Sequence, residues 1–391
     1  MTVLLIVCGV HSAYADSTTY DGQFLVVGAG PAGIATVGVL LQVGVKSDDI
    51  IWLDNKFDAG RLGEFYETVP GNTKNKLFVD FIESCDAFKD FHSEAIDALK
   101  ACDHDKEYEL TYIVQALRAI TQHLATKVHC INGRLHSLYS QNGLWHVDTG
   151  FRKLKTKSVV LATGSHPKSF HYDEKKEIPL DIALDRYKLK NLVKPDDTVL
   201  VMGSAHSAIL LLKFLSDIHV NKVINLYKSP IQYAVDMGDW ILHNSTGLKG
   251  TTAQWAKDVL EKKPPQNLIR LYNNPQNLEA SLKEATKIIY AVGYEKNELP
   301  SIKENPSYAY DDTTGVIASG LFGIGIAFPE KYEDPLGNVE HRVGLSSFME
   351  YAQKVVPQWV VDTDSSHKDL RLRQKLKCLK KYDQLFDISV L

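Results

Sequence analysis

The residues best placed to do chemistry are glycines. Gly28-x-Gly30-x-x-Gly33 falls between a short apolar run, Phe24 to Val27, and a longer one from Ile34 to Leu41. The first run reads as a buried strand and the second as a packed helix, so the glycines form the turn between them. At such a turn the first glycine permits a tight bend, and the second lets backbone approach a pyrophosphate. The third lets the helix lie close on the strand, while the helix N-terminus offers unpaired N–H groups to phosphate oxygens. Pro31 and Ala32 complete the same cradle. A second apolar run, Ile50 to Leu53, ends in Asp54, a carboxylate placed to accept hydrogen bonds from ribose hydroxyls. Its distance from the turn is a little longer than the usual spacing of about 20 residues. Together these residues predict a dinucleotide-binding unit.

A second unit starts at Asp197. Thr198 to Met202 is a strand, Gly203-Ser204-Ala205-His206-Ser207-Ala208 its turn, and Ile209 to Leu215 the following helix. Alanine replaces the second and third glycines, which is acceptable where the backbone does not need positive φ. The next strand, Lys222 to Tyr227, ends in Lys228-Ser229. An acidic residue there would bind the 2′-hydroxyl of NADH, whereas Lys and Ser suit a 2′-phosphate, so NADPH is the expected coenzyme and NADH the alternative.

Three more small-residue turns follow apolar strands. Ala162-Thr163-Gly164-Ser165 comes after Ser158 to Leu161, and Gly293-Tyr294-Glu295 comes after Lys287 to Val292. The last is the glycine-rich stretch Gly320 to Glu330, which includes Gly325. The first brings backbone close to a bound nucleotide, and the second marks the crossing back from the inserted domain.

These turns need elements to hold them. The glycine-rich segment from Phe57 to Lys74, carrying Arg61 and Asn72, reads as irregular and is placed to run over a cofactor. Apolar stripes predict helices from Lys76 to Cys85 and from about Glu107 to Leu124, and another from about Gly344 to Val355. Val128 to Ile131, Leu135 to Tyr139, Leu144 to Val147 and Phe151 to Lys155, with Asn-Gly turns between them, read as a β-meander. The fold class is therefore α/β, with two Rossmann-like units and a small meander.

Composition narrows the function. A net charge of −4 over 391 residues argues against a nucleic-acid-binding surface. Nothing approaches the roughly 18 continuous apolar residues of a membrane span. At the N-terminus, Val3 to Val10 is apolar and Ala13-x-Ala15 suits a signal peptidase. This predicts a cleaved signal peptide over residues 1–15, with a secreted, periplasmic or ER-lumenal protein as the result and a cytoplasmic one otherwise. Cleavage would remove Cys8 and leave Cys85, Cys102, Cys130 and Cys378, an even number in no known disulfide framework. No C-x-x-C exists, which excludes a dithiol relay. The basic segment Lys368 to Lys381, with Leu372, Leu376 and Leu379 on one face, reads as a solvated helix, with weak membrane-surface contact as the alternative.

From about Gln23 to Phe348 the order of motifs resembles flavoproteins with two dinucleotide-binding domains, most closely the flavin-dependent (class B type) monooxygenases. The resemblance is carried by Gly28-x-Gly30-x-x-Gly33, the Asn72-Thr73-Lys74 loop and Ala162-Thr163-Gly164-Ser165-His166-Pro167. Gly203-x-Ala205-x-Ser207-Ala208 and Ala291-x-Gly293-Tyr294 complete it. The family's F-x-G-x-x-x-H signature is absent, and the late Gly-Asp of disulfide-reductase relatives is Gly325-Ile326 here. The resemblance implies an FAD-binding domain in two parts, residues 22–166 and 287–391, with an NAD(P)H-binding domain inserted at 167–286.

It also implies a chemistry. NADPH would reduce FAD, and the reduced flavin would form a C4a-peroxyflavin with O₂ and oxygenate a small soft nucleophile, an amine or thioether. Asn72 would lie against the flavin's reacting edge, and Asn72 with Lys74 would hydrogen-bond the peroxide or the nicotinamide. Two other readings stay open: an NAD(P)H oxidase or reductase that oxygenates nothing, and a non-catalytic FAD-binding module.

Overall fold

The computed structural model describes residues 20–302 and 309–363. The expected signal peptide, the basic C-terminal segment, Cys8 and Cys378 lie outside the described residues. Cys85, Cys102 and Cys130 are free thiols.

The chain opens with β1 (Tyr20–Val27), α1 (Pro31–Gln42) and β2 (Ile50–Asp54). It continues through α2 (Gly60–Phe65), α3 (Asn75–Glu83), α4 (Glu94–Ala101) and α5 (Thr111–Ala125) to β3 (His129–Asn132). Phe24 and Val26 of β1 point into one apolar cluster, Leu25 and Val27 into another. That period of two buries both faces, as a parallel strand between layers requires. The glycine-rich segment after Asp54 is less irregular than its composition suggests. Ala59 adopts a left-handed conformation (φ 52°) that redirects the chain into α2.

Then come β4 (Ser137–Gln141), β5 (Leu144–Asp148) and β6 (Lys153–Leu161). Only these three form the meander. β3, expected as its first strand, pairs parallel with β2 because α5 returns the chain to the open edge of the sheet. β6 is one continuous strand where two runs were expected. Its first half pairs antiparallel with β5, Val159 to Leu161 pair parallel with a later strand, and its other edge pairs parallel with β1.

From β7 (Ser165–Pro167) the chain passes through α6 (Leu180–Ala183) and α7 (Arg186–Leu192) into the second unit. There β8 (Thr198–Met202), α8 (His206–Ile218) and β9 (Lys222–Tyr227) precede a short ribbon of β10 (Val235–Asp236) and β11 (Ile241–Leu242). α9 (Gly250–Trp255), β12 (Leu268–Tyr272), α10 (Pro275–Glu284) and β13 (Lys287–Tyr290) follow. The four strands form a parallel sheet in the order β12-β9-β8-β13. β13 thus completes this sheet, so the chain leaves the unit after Tyr290 and not before Lys287. One face of the sheet packs on α8 and α9, and the other buries Leu200, Met202, Ile224 and Leu226 against the α10 side.

β14 (Tyr294–Lys296) then pairs antiparallel with β7. β15 (Ser301–Ile302) joins β4, and β16 (Val316–Ala318) and β17 (Leu321–Gly323) return to β6. A hairpin of β18 (Glu330–Glu333) and β19 (Val339–Arg342) leads to α11 (Leu345–Thr363), which packs with α1, α3 and α5 on the large sheet. Trp359 of α11 stacks on Phe322 at 4.6 Å. Among the described residues, no helix is long and apolar enough to cross a membrane.

Candidate functional site

Each glycine of the first turn has its own steric reason. Gly28 has φ +109°, and a Cβ there would stand 2.3 Å from the Ala162 carbonyl oxygen. A Cβ on Gly33 would lie 1.9 Å from the Gly28 carbonyl oxygen. Gly30 is different: the nearest atom to a Cβ would be 3.8 Å away. Its hydrogen faces open space, where a ligand can approach the backbone. Gly30 caps α1 in extended geometry (φ −78°, ψ 179°) without a side-chain bond. By contrast, Ser93, Asp185 and Asn274 cap α4, α7 and α10 through their side chains. The first-turn amides of α1 are therefore left for an anion.

The turn opens into a cavity of about 820 Å³, lined also by Asp54, Arg61, Tyr66, Thr163, Asn297 and the Gly325 turn. That size is ordinary for a cofactor site, about 300–1,000 Å³. Asp54 lines it while doing local work: its carboxylate accepts from the Ala29 amide at 2.8 Å and from the Lys56 and Phe57 amides at 2.7 and 2.8 Å. Asn297 fixes the opposite wall, donating to the Thr163 carbonyl at 2.7 Å from its side chain and to the Gly164 carbonyl at 3.2 Å from its amide.

Two buried polar atoms of lining residues, Arg61 Nε and Thr163 Oγ1, have no hydrogen-bond partner among the described residues. Unpaired buried polar groups are rare, and here both border a cavity. The Arg61 guanidinium lies 4.6 Å from the Phe65 ring centre and bonds the Asp181 carboxylate. Burial disfavours its charge, but Asp181 more than offsets this and raises its pKa. Anion-seeking amides, a ribose-side carboxylate and unpaired polar groups fit a dinucleotide cofactor.

The second unit repeats the geometry. The Gly203 amide donates to the Leu226 carbonyl at 2.8 Å, as Gly28 does to Leu53. Asn225 Nδ2 donates to the Gly203 carbonyl at 2.8 Å, as Trp52 Nε1 does to that of Gly28 at 2.9 Å. Leu226 thus corresponds to Leu53, and Tyr227, not Lys228, stands where Asp54 does. Arg270, opposite Asn225 on β12, donates from Nε to Asn225 Oδ1 at 3.0 Å, with its guanidinium 4.9 Å from the Tyr227 ring. Ala205 caps α8 at φ −87°, so alanine is unstrained there, whereas Gly203 at φ +131° needs glycine. The cavity beside this turn measures about 340 Å³.

Of the predicted cofactor residues, Gly28, Gly30, Pro31, Ala32, Asp54, Arg61, Thr163, Gly164 and Gly325 line the first cavity. Gly203, Ser204, Ala205, Lys228 and Gly293 line the second. Gly33 sits behind the first turn. His206 and Ser207 open α8 without lining the second cavity. His206 Nδ1 is buried and unpaired, and burial, aided by the Lys249 charge, pushes its pKa down to about 4, so the ring is neutral at pH 7.

Neither proposed catalytic residue lines the first cavity. Asn72 Oδ1 accepts from Thr73, and Lys74 pairs with Asp105 at 3.3 Å on the surface. Sequence reasoning missed Asp181, Asn297 and Arg270, whose partners are distant in the chain. Gly293 lines the second cavity and the next residue, Tyr294, lines the first.

No family model matches the chain. It is 31% identical, over an alignment of 388 residues, to the monooxygenase AgnR1 of Paecilomyces divaricatus, with 86% of this chain and 97% of that one covered. Among solved structures, it resembles the flavin-containing monooxygenase of Stenotrophomonas maltophilia at a TM-score of 0.58 and 14% identity, covering 87% of this chain and 98% of that one. The bacillithiol disulfide reductase Bdr of Staphylococcus aureus gives the same TM-score at 10% identity, covering 88% and 100%. The fold and its paired glycine turns are those of flavin- and nicotinamide-dependent oxidoreductases. Within that class, this chain belongs to the family of the monooxygenase AgnR1.

Proposed function

We propose that the first cavity holds FAD, that the second holds NADPH, and that the enzyme oxygenates a small soft nucleophile such as an amine or thioether. The observation that carries this reading is that each glycine turn opens into its own cavity and that successive residues, Gly293 and Tyr294, line one cavity each. Hydride transfer needs reacting atoms about 3–3.5 Å apart, which only adjoining sites allow. Bound flavin supplies the hydride acceptor and, once reduced, the centre that activates O₂.

The chain's own residues do the rest. The α1 amides and the Gly28–Gly30 backbone bind the pyrophosphate, and Asp54 orients a ribose. Arg61 and Thr163 offer their unpaired atoms to the cofactor. Ser204, Ala205 and the α8 N-terminus receive the coenzyme phosphates. Tyr66 and Tyr294, joined through their hydroxyls at 3.2 Å, line the first cavity and help exclude water from it. Burial raises the pKa of both phenols, so they stay protonated at neutral pH.

Mixing the FAD-loaded protein with NADPH and then NADH without oxygen, and following the flavin's visible absorption, tests the hydride step. Rapid bleaching by NADPH is expected. Readmitting O₂ with an amine or thioether should then consume substrate with little H₂O₂ release. Near-complete H₂O₂ release whatever the substrate would select the oxidase reading, which the placement of Asn72 and Lys74 outside the cavity favours. Flavin that neither nucleotide reduces would leave a binding module.

Coenzyme choice gives a second expected outcome. The double substitution Tyr227→Asp and Lys228→Asn copies Asp54-Asn55 of the first unit into the equivalent positions. It supplies an acceptor for a 2′-hydroxyl and removes a cation from a 2′-phosphate. The ratio of flavin-reduction rates with NADPH and NADH should move toward NADH by about tenfold or more, given the strength of charge-assisted hydrogen bonds. An unchanged ratio would show that coenzyme choice is made elsewhere.

A further inference from the structure

Asp181 belongs to neither glycine turn, yet it touches the flavin cavity's wall twice. One carboxylate oxygen accepts from Arg61 Nη2 and the other from the Tyr66 hydroxyl. Arg61 and Tyr66 lie on or just after α2 of the first unit and line the first cavity. Asp181 comes from α6, whose Leu180 and Ala183 are buried in the second unit's core. Tyr66 also packs against that core, and the Tyr294 hydroxyl donates to its hydroxyl at 3.2 Å. The orientation of a cavity-lining cation is thus set from the other unit.

We propose that Asp181 is a positioning residue for the cofactor, and that the flavin site is complete only while the second unit is docked. With Asp181 in place, the guanidinium of cavity-lining Arg61 is held against Phe65 with its Nε buried. Without it, the guanidinium has lost the carboxylate that fixes its fork. The proposal rests on the reading of the first cavity as the FAD site.

The test compares FAD affinity, by quenching of flavin fluorescence, with the melting temperature of the cofactor-free protein. Asp181→Asn should weaken FAD binding about tenfold. Asp185→Ala is the control. Asp185 lies in the same segment and caps α7 through the Tyr187 and Lys188 amides, at 3.0 and 3.1 Å, without touching α2. It should lower the melting temperature at least as much while leaving FAD affinity unchanged.

If Asp181 acts through Arg61, Asp181→Asn combined with Arg61→Met should bind FAD no more weakly than Arg61→Met alone. Additive losses, an unchanged affinity in Asp181→Asn, or equal losses in Asp181→Asn and Asp185→Ala would overturn the proposal. Failure of the unsubstituted protein to bind FAD would instead overturn the reading of the cavity.

Discussion

Gly33→Ala is expected to yield a protein that is purified without flavin and melts at a lower temperature. The added methyl would stand 1.9 Å from the Gly28 carbonyl oxygen, an approach that real Cβ atoms essentially never show. α1 must therefore move away from the turn, and its N-terminal amides move with it. Overpacking of this kind costs about 1–3 kcal/mol. The displaced amides also no longer meet the pyrophosphate. Gly30→Ala separates the two effects. Its methyl has no atom within 3.8 Å, so the fold should melt as before. It nonetheless projects where the ligand must approach, so flavin should be lost there too. Flavin content per chain and melting temperature, measured on both variants, decide the matter. Full flavin content in Gly30→Ala would refute the assignment of the turn to the cofactor.

Gly203→Ala should do the opposite: keep the flavin and lose its reduction. A methyl on Gly203 would lie 2.1 Å from the Ala291 carbonyl oxygen, at a φ of +131° that L-residues rarely adopt. Both effects fall within the second sheet, where Ala291 follows β13. The first turn and the helical layer behind it belong to a separate core. Flavin content should therefore stay near that of the unsubstituted protein. The rate of anaerobic bleaching by NADPH should fall by about a hundredfold, consistent with about 3 kcal/mol of misplaced backbone. Normal bleaching would mean that the nucleotide docks elsewhere.

The sequence made the two glycine turns legible because their spacing is set locally, by a strand, a turn and a helix in direct succession. The same holds for Asp54 and for the small-residue turns at Thr163–Gly164 and Gly293. Assigning Lys228 to the acid's place failed by one residue. The end of an apolar run does not reveal strand register, and the hydrogen bonds from Gly203 to Leu226 and from Asn225 to Gly203 do. Val128 to Ile131 looked like part of the meander because a short apolar run carries no sign of its neighbour. Asp181 was invisible for another reason. It meets Arg61 from 120 positions away, and no periodicity records a contact at that distance.

The pairing of β7 with β14 bears on how the chain reaches its folded state. Pro167 stands opposite Tyr294, so the two ends of the inserted segment lie side by side. A segment of this length closes its ends at an entropic cost that grows only slowly with loop length. The second sheet draws all its strands from within that segment and can condense on local contacts. The first sheet cannot, since β17 and α11 reach it only from the far side of the insertion. On a ribosome the later-numbered core is thus the earlier one able to form, and it carries the tail back to the strands that were made first.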